Sequence, residues 1–246
     1  YGSTGFKMFK GSILNNVEIA YETWGDLSIN KDNVILLFTG LSPSSHAASS
    51  AENQDKGWWE YMIGPNKPID TNKYYVVCVN SLGSCFGSTS PASLNKNNNS
   101  VYGLSFPELS IEDIAKAGHD TLQTLGIDHV HTVIGPSMGG MTAIAYALLF
   151  PSALSNLVVI SAAARTLPFT ISIRSLQREL IRSDPLWNKG NYNKETAPLN
   201  GMKLARKLGL MSYRAANEWR ERFNRARIQK KEEKKMFDIE FEVESY

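Results

Sequence analysis

The sequence predicts an α/β fold built on a mostly parallel sheet, and three observations carry that prediction. Apolar strand-like runs alternate with helical stretches through the first 165 residues. The run "VILLF", Val34 to Phe38, is continuously apolar, as expected of a strand buried on both faces. The stretch "VIGPSMGGMTA", Val133 to Ala143, joins a strand to a helix through a glycine-rich turn.

Taken in order, Val17 to Trp24, "VEIAYETW", alternates with strand periodicity, and Val34 to Phe38 follows as the buried strand. "KYYVVCVNSLG", Lys73 to Gly83, is a third strand. The period then changes. Ile111, Ile114, Ala115, Gly118, Leu122 and Leu125 share one helical face, and Ser110 with Asp113 has capping-box spacing, so a helix is expected up to Gly126. "VHTVIG" from Val130 is the next strand, "MGGMTAIAYALLF" a helix stopped by Pro151, and "LVVI", Leu157 to Ile160, a further strand. Beyond Arg165 the pattern turns helical and charged. "FTISIRSLQRELIRSDP" is one helix candidate and "YRAANEWRERFNRARIQKKEEKK" a second, long and polar. The expected organisation is a sheet-based core over residues 1–165 and a helical cap or insertion over 166–246.

Composition narrows the function. In 246 residues, 26 Lys+Arg against 24 Asp+Glu leave a formal charge of +2, too balanced for a chain built around nucleic acid or an anionic membrane. Between Arg214 and Lys235 nine basic side chains are interrupted by four acidic ones, which reads as a solvated helix rather than a nucleic-acid surface. No apolar run approaches bilayer length. Cys78 and Cys85 form neither a disulfide framework nor a metal-ligand pattern. A small-molecule substrate, a reducing cytoplasm and no bound metal are expected.

The glycine-flanked Ser137 is the candidate nucleophile. A serine in a glycine-rich turn is often only a turn residue, but strand, turn and helix here stand in the order a nucleophile elbow needs. Met138 is then the candidate for one oxyanion-hole amide; Phe38, at the end of the "VILLF" strand, is the candidate for the other. The base is the difficulty. In this arrangement the acid and the histidine follow the serine, yet His46, His119, His129 and His131 all precede it. His46 lies in the loop "GLSPSSHA" and is a candidate for binding substrate instead of for the base.

The blocks "GWWEYMIGPNKPIDTNKYYVVCVNSLGSCFGSTSPASLN", "YGLSFPELSIEDIAKAG", "LGIDHVHTVIGPSMGGMTAIAYALLFP" and "SIRSLQRELIRSDPLWNKGNY" resemble the homoserine O-acetyltransferase family of α/β-hydrolase-fold acyltransferases. "GLSPSSHAASSAENQDKGWW" looks most like its serine O-succinyltransferase branch, and "TSPAS" departs slightly from a family loop. The resemblance implies an α/β-hydrolase fold and a ping-pong reaction. Ser137 would take an acyl group from acyl-CoA, with succinyl-CoA or acetyl-CoA as co-substrate, and pass it to the hydroxyl of serine or homoserine in cysteine or methionine biosynthesis. It also implies a homodimer when full length, and a triad aspartate and histidine further along than the present ending "FEVESY". Little transferase activity is therefore expected of the 246-residue polypeptide itself.

The family's carboxylate-binding arginine falls on Arg178; a guanidinium suits that task because it can form two parallel hydrogen bonds. Arg174, one helical turn earlier, is the candidate cation for a succinyl carboxylate, with a solvated helix face as the alternative. Pro43, Ser44, Ser45 and His46 are the candidate wall that distinguishes serine from the longer homoserine, or simply a turn. Trp58 and Trp59 are expected to be packing anchors. A serine esterase is the rival reading, since water can replace the amino acid as acceptor.

Overall fold

The computed structural model describes residues 2–3, 5–193, 195–228 and 239–245. Five strands form the main sheet: β1 (Tyr21–Trp24), β2 (Val34–Phe38), β3 (Tyr75–Val79), β4 (Val130–Pro136) and β5 (Leu154–Ile160). Their spatial order is β5-β4-β2-β3-β1, and every pairing is parallel except that of β1 with β3. The longer helices among the described residues are α1 (Ile111–Thr124), α2 (Met138–Leu149), α3 (Pro168–Arg182), α4 (Leu199–Tyr213) and α5 (Ala216–Phe223). Residues 1–165 and 166–246 form two compact units.

The unbroken apolar run in β2 follows from its central place. Val34, Leu36 and Phe38 join the core that includes Ile114 and Leu122 of α1 and Tyr146 of α2. Ile35 and Leu37 point the other way, into a second core with Trp24, Trp59, Ile63 and Ile69. With period-2 geometry, both sets must be apolar. Gly118 of α1 lies so close to the Phe38 ring that a methyl group there would collide with it. The two tryptophans stack with centroids 5.2 Å apart, Trp59 buried and Trp58 half-buried.

Three expectations need amendment. "VEIAYETW" is not one strand: Val17–Glu18 and Tyr21–Trp24 are separate, because between them Ala20 donates to Ser88 Oγ instead of extending a ladder. The polar helix expected to run to Lys235 ends at Phe223, where Asn224 takes φ 46° and breaks the helical path; its portion over 229–238 lies outside the described residues. Helix α4 was not anticipated. It forms in the "LNGMKLARKLGLMSY" stretch and packs on α3, with Gly201 against the Leu180 carbonyl and Gln177 donating to the Ala205 carbonyl at 2.7 Å. No described helix is long and apolar enough to cross a membrane.

The start of α1 carries a complete capping box. Ser110 Oγ accepts from the Asp113 amide, and Asp113 Oδ2 accepts from the Ser110 amide at 2.9 Å. Asp113 is 1% exposed, and its other oxygen accepts the Phe9 amide at 2.6 Å, tying the amino-terminal segment to the helix. Ser110→Ala should therefore cost about 1 kcal/mol, and Asp113→Ala about 2 kcal/mol, because it also orphans the Phe9 donor. Urea unfolding of the two variants measures the difference.

Candidate active site

Strand β4 ends at Pro136 and α2 begins at Met138, so Ser137 alone makes the turn. Its backbone takes φ 55° and ψ −121°, a conformation that disfavours a side chain and costs on the order of 1–3 kcal/mol. The bend is imposed by close backbone approach. A methyl on Gly135 would strike the Gly139 carbonyl, and a methyl on Gly139 would strike the Phe38 carbonyl. The Ser137 amide donates to the Ile160 carbonyl of β5 at 2.9 Å, while its own carbonyl accepts the Gly140 and Met141 amides at 3.0 and 3.3 Å. Held on three sides, Ser137 is exposed at the end of the sheet.

The amides of Met138 and Gly139 open α2, where no preceding turn supplies them with a carbonyl. Met138, the sequence's candidate for one oxyanion donor, is the first residue of this helix. Phe38 is the last residue of β2, with its side chain wholly buried and its carbonyl against Gly139. Gly40, two residues on, passes beside the Pro136 carbonyl, so the chain leaving β2 runs along the elbow.

That chain becomes the loop expected to wall the acceptor, and polar side chains fix it in place. Asn80, 2% exposed, accepts the Ser45 amide. The Trp58 indole donates to the Ser44 carbonyl at 2.9 Å, and the Trp24 indole to the Ala48 and Ser49 carbonyls. Glu60 accepts the Ser49 amide and hydroxyl and receives Lys67, and these donors pull its carboxyl down to about 2. Of the four candidate wall residues, Ser45 is buried, whereas Pro43, Ser44 and His46 are half-buried.

His46 meets two acceptors. Nδ1 lies 2.8 Å from a Glu22 carboxylate oxygen, and Nε2 lies 2.8 Å from the Asp55 carbonyl. Only the imidazolium can donate to both. The Glu22 hydrogen bond holds the His46 pKa above its ordinary value, with the Asp55 carbonyl adding to it against partial desolvation. Glu22 was missed from sequence, although a carboxylate within the apolar "YETW" strand is itself a signal, because such a group needs a partner.

The remaining histidines are engaged elsewhere. His119 stacks on Phe150 at 3.8 Å and its pKa is lowered by burial. His129 contacts the Ser152 carbonyl and the Ser155 hydroxyl, and His131 contacts the Thr132 hydroxyl. In the helical unit, Arg178 is exposed on α3. Arg174 donates to Gln177 at 2.7 Å and to the Tyr213 hydroxyl at 3.2 Å, with its guanidinium 5.5 Å from that ring.

A model of the alpha/beta hydrolase fold matches residues 33–245. The chain belongs to this family. Within the alpha/beta hydrolases it is 53% identical, over 98% of its length, to a serine O-succinyltransferase of Litchfieldella anticariensis, and it spans 66% of that relative. Among solved structures, homoserine O-acetyltransferase from Bacillus anthracis is 30% identical, with a TM-score of 0.86 over 93% of this chain and 63% of its own. Esterase E22 is 33% identical, with a TM-score of 0.83 over 90% of this chain and 62% of its own. The chain thus spans less than two thirds of the length of each. The mostly parallel sheet with its flanking helices is that of an alpha/beta hydrolase.

Two outcomes follow. Ser137→Gly should raise unfolding stability by about 1 kcal/mol over Ser137→Ala, since glycine accepts the positive φ without strain; denaturant titration of both variants checks it. Because the folded His46 pKa lies above 6.5, its stabilising contribution is complete below about pH 6.5 and fades as pH rises through the raised value. Wild-type stability should decline over that window relative to His46→Gln, as measured by unfolding across pH.

Proposed function

We propose that Ser137 is the nucleophile of a CoA-dependent amino-acid O-acyltransferase, with serine as acceptor and succinyl-CoA as donor. The observation that carries this reading is the strained elbow at Ser137 in a chain 53% identical to a serine O-succinyltransferase. Transfer from acetyl-CoA, or to homoserine, is the neighbouring alternative, supported by the likeness to a homoserine O-acetyltransferase.

The hydroxyl of Ser137 attacks the thioester carbonyl and gives its proton to a base; the tetrahedral oxyanion collapses with loss of CoA to leave an acyl-serine. The Met138 amide, at the positive end of α2, stabilises the oxyanion, and the second donor comes from the end of β2, with Phe38 the candidate. All four histidines precede Ser137, and each has other partners. The resemblance implies a triad aspartate and histidine, and because the chain spans 66% of the serine O-succinyltransferase it is similar to, the complete gene product is the one to assay. In the second half-reaction an amino-acid hydroxyl attacks the acyl-serine. Arg178 binds its carboxylate, Arg174 is the candidate for the succinyl carboxylate, and the 43–46 loop limits its length. No resident cofactor or metal enters this chemistry.

A serine esterase is the second reading, and the likeness to esterase E22 favours it. Here water replaces the amino acid, and Arg178 has no zwitterion to hold.

Offering the complete gene product succinyl-CoA or acetyl-CoA, each with serine or homoserine, separates these readings. CoA release that depends on serine and is fastest from succinyl-CoA is expected; release indifferent to any amino acid identifies a hydrolase. Ser137→Ala should abolish release. Arg178→Ala should raise the KM for the amino acid about 100-fold, with Arg178→Lys restoring little, because an ammonium cannot reproduce paired hydrogen bonds.

A further inference from the structure

Glu22 plays no part in the chemistry proposed above, yet it sits beneath the acceptor loop and receives two of that loop's side chains. One oxygen is 2.8 Å from His46 Nδ1, and the other is 3.5 Å from Ser45 Oγ. The carboxylate comes from β1, so it is fixed by the sheet: Glu22 stands in register with the buried Cys78 of β3. The far side of the imidazole is fixed by the Asp55 carbonyl, and Asn53 Nδ2 lies 3.3 Å from Nδ1. His46 is therefore a strut between the sheet and the 53–55 segment. Both of its nitrogens are occupied, which leaves it none with which to bind a substrate or serve as a base.

We propose that the Glu22–His46 pair is a positioning device that holds the 43–46 wall at the distance which selects the shorter acceptor, with neither His46 nitrogen nor the Glu22 carboxylate bonding a substrate. The proposal rests on the transferase reading and adds to it a residue that sets specificity. Its logic is geometric. Discrimination between serine and homoserine is one methylene, worth only a modest factor, and it is lost if the wall can retreat by the length of a bond. Asn80 and Trp58 hold the backbone of this loop at Ser45 and Ser44, but they do not fix the His46 ring. A charge-assisted bond from a strand restrains it. The titratable groups facing the imidazole are Glu22 from β1 and Asp55 from the neighbouring loop, with the Cys78 thiol under Glu22 held neutral by burial.

The test uses the complete gene product as wild type, Glu22→Ala, Glu22→Gln and the Glu22→Ala/His46→Ala double variant. The burst of CoA on mixing with succinyl-CoA alone reports acylation of Ser137; KM for serine and the serine-to-homoserine ratio of kcat/KM report the wall. For Glu22→Ala the burst should stay within about twofold of wild type, while KM for serine rises about tenfold and the ratio falls by a similar factor. The double variant should be no worse than Glu22→Ala, since the two side chains act as one unit. Wild type should lose its preference for serine as pH rises past the His46 titration, and Glu22→Ala should show no such step. If Glu22→Ala does not fold, Glu22→Gln carries the test, with a severalfold rise in KM for serine and unaltered acylation expected. An unchanged ratio, or equal losses in acylation and transfer, overturns the proposal. Wild-type CoA release that ignores amino acids overturns the transferase reading itself, and this arm keeps the two failures distinguishable.

Discussion

The crossing of two backbones at Gly135 and Gly139 is the constraint on which the rest of the site depends. Neither position has room for a methyl group, because the first turn of α2 is pressed between β4 and the end of β2. That approach leaves one residue to reverse the chain, and Ser137 does so at positive φ. The strain is sustained by what surrounds it: the bond to Ile160, two bonds to the start of α2, and cores on both faces of the sheet. Strain of this kind persists only where the scaffold over-determines it, and its usual setting is a functional site.

The site divides into a rigid part and a braced part. Ser137 and the Met138 amide lie where a strand passes into a helix, whose geometry backbone bonds set. The loop proposed to wall the acceptor has no regular structure from Thr39 to Lys56, and side chains from elsewhere do the same work for it. Asn80 and Trp58 each take one of its polar groups, and Trp24, Glu60 and Glu22 take two or more. Polar bracing suits a segment that must be both placed and specific: each partner is satisfied in one arrangement and left wanting in others.

Much of this was legible in the sequence because it depends on local pattern. The apolar run in β2, the capping box at Ser110 and Asp113, and the glycines about Ser137 each record a physical demand within a few residues. What could not be read depends on distant partners. That Glu22 would meet His46, 24 positions away, follows from how β1 lies beside β3, which no periodicity encodes. The "LVVI" strand was legible, but its exposure was not: Leu157, Val158 and Val159 are 36–41% exposed because β5 is an edge strand among the described residues. Helix α4 eluded reading because its interior glycines, Gly201 and Gly209, weaken the helical signal that packing on α3 overrides.

The central claim is that the strained serine forms a covalent acyl-enzyme. Mass spectrometry of the complete gene product, quenched soon after mixing with succinyl-CoA and then digested, tests it most directly. A succinyl ester on the peptide containing Ser137, which disappears when serine is added, is the expected result. Steady CoA release with no modification of that peptide, or with the acyl group on another residue, would contradict it.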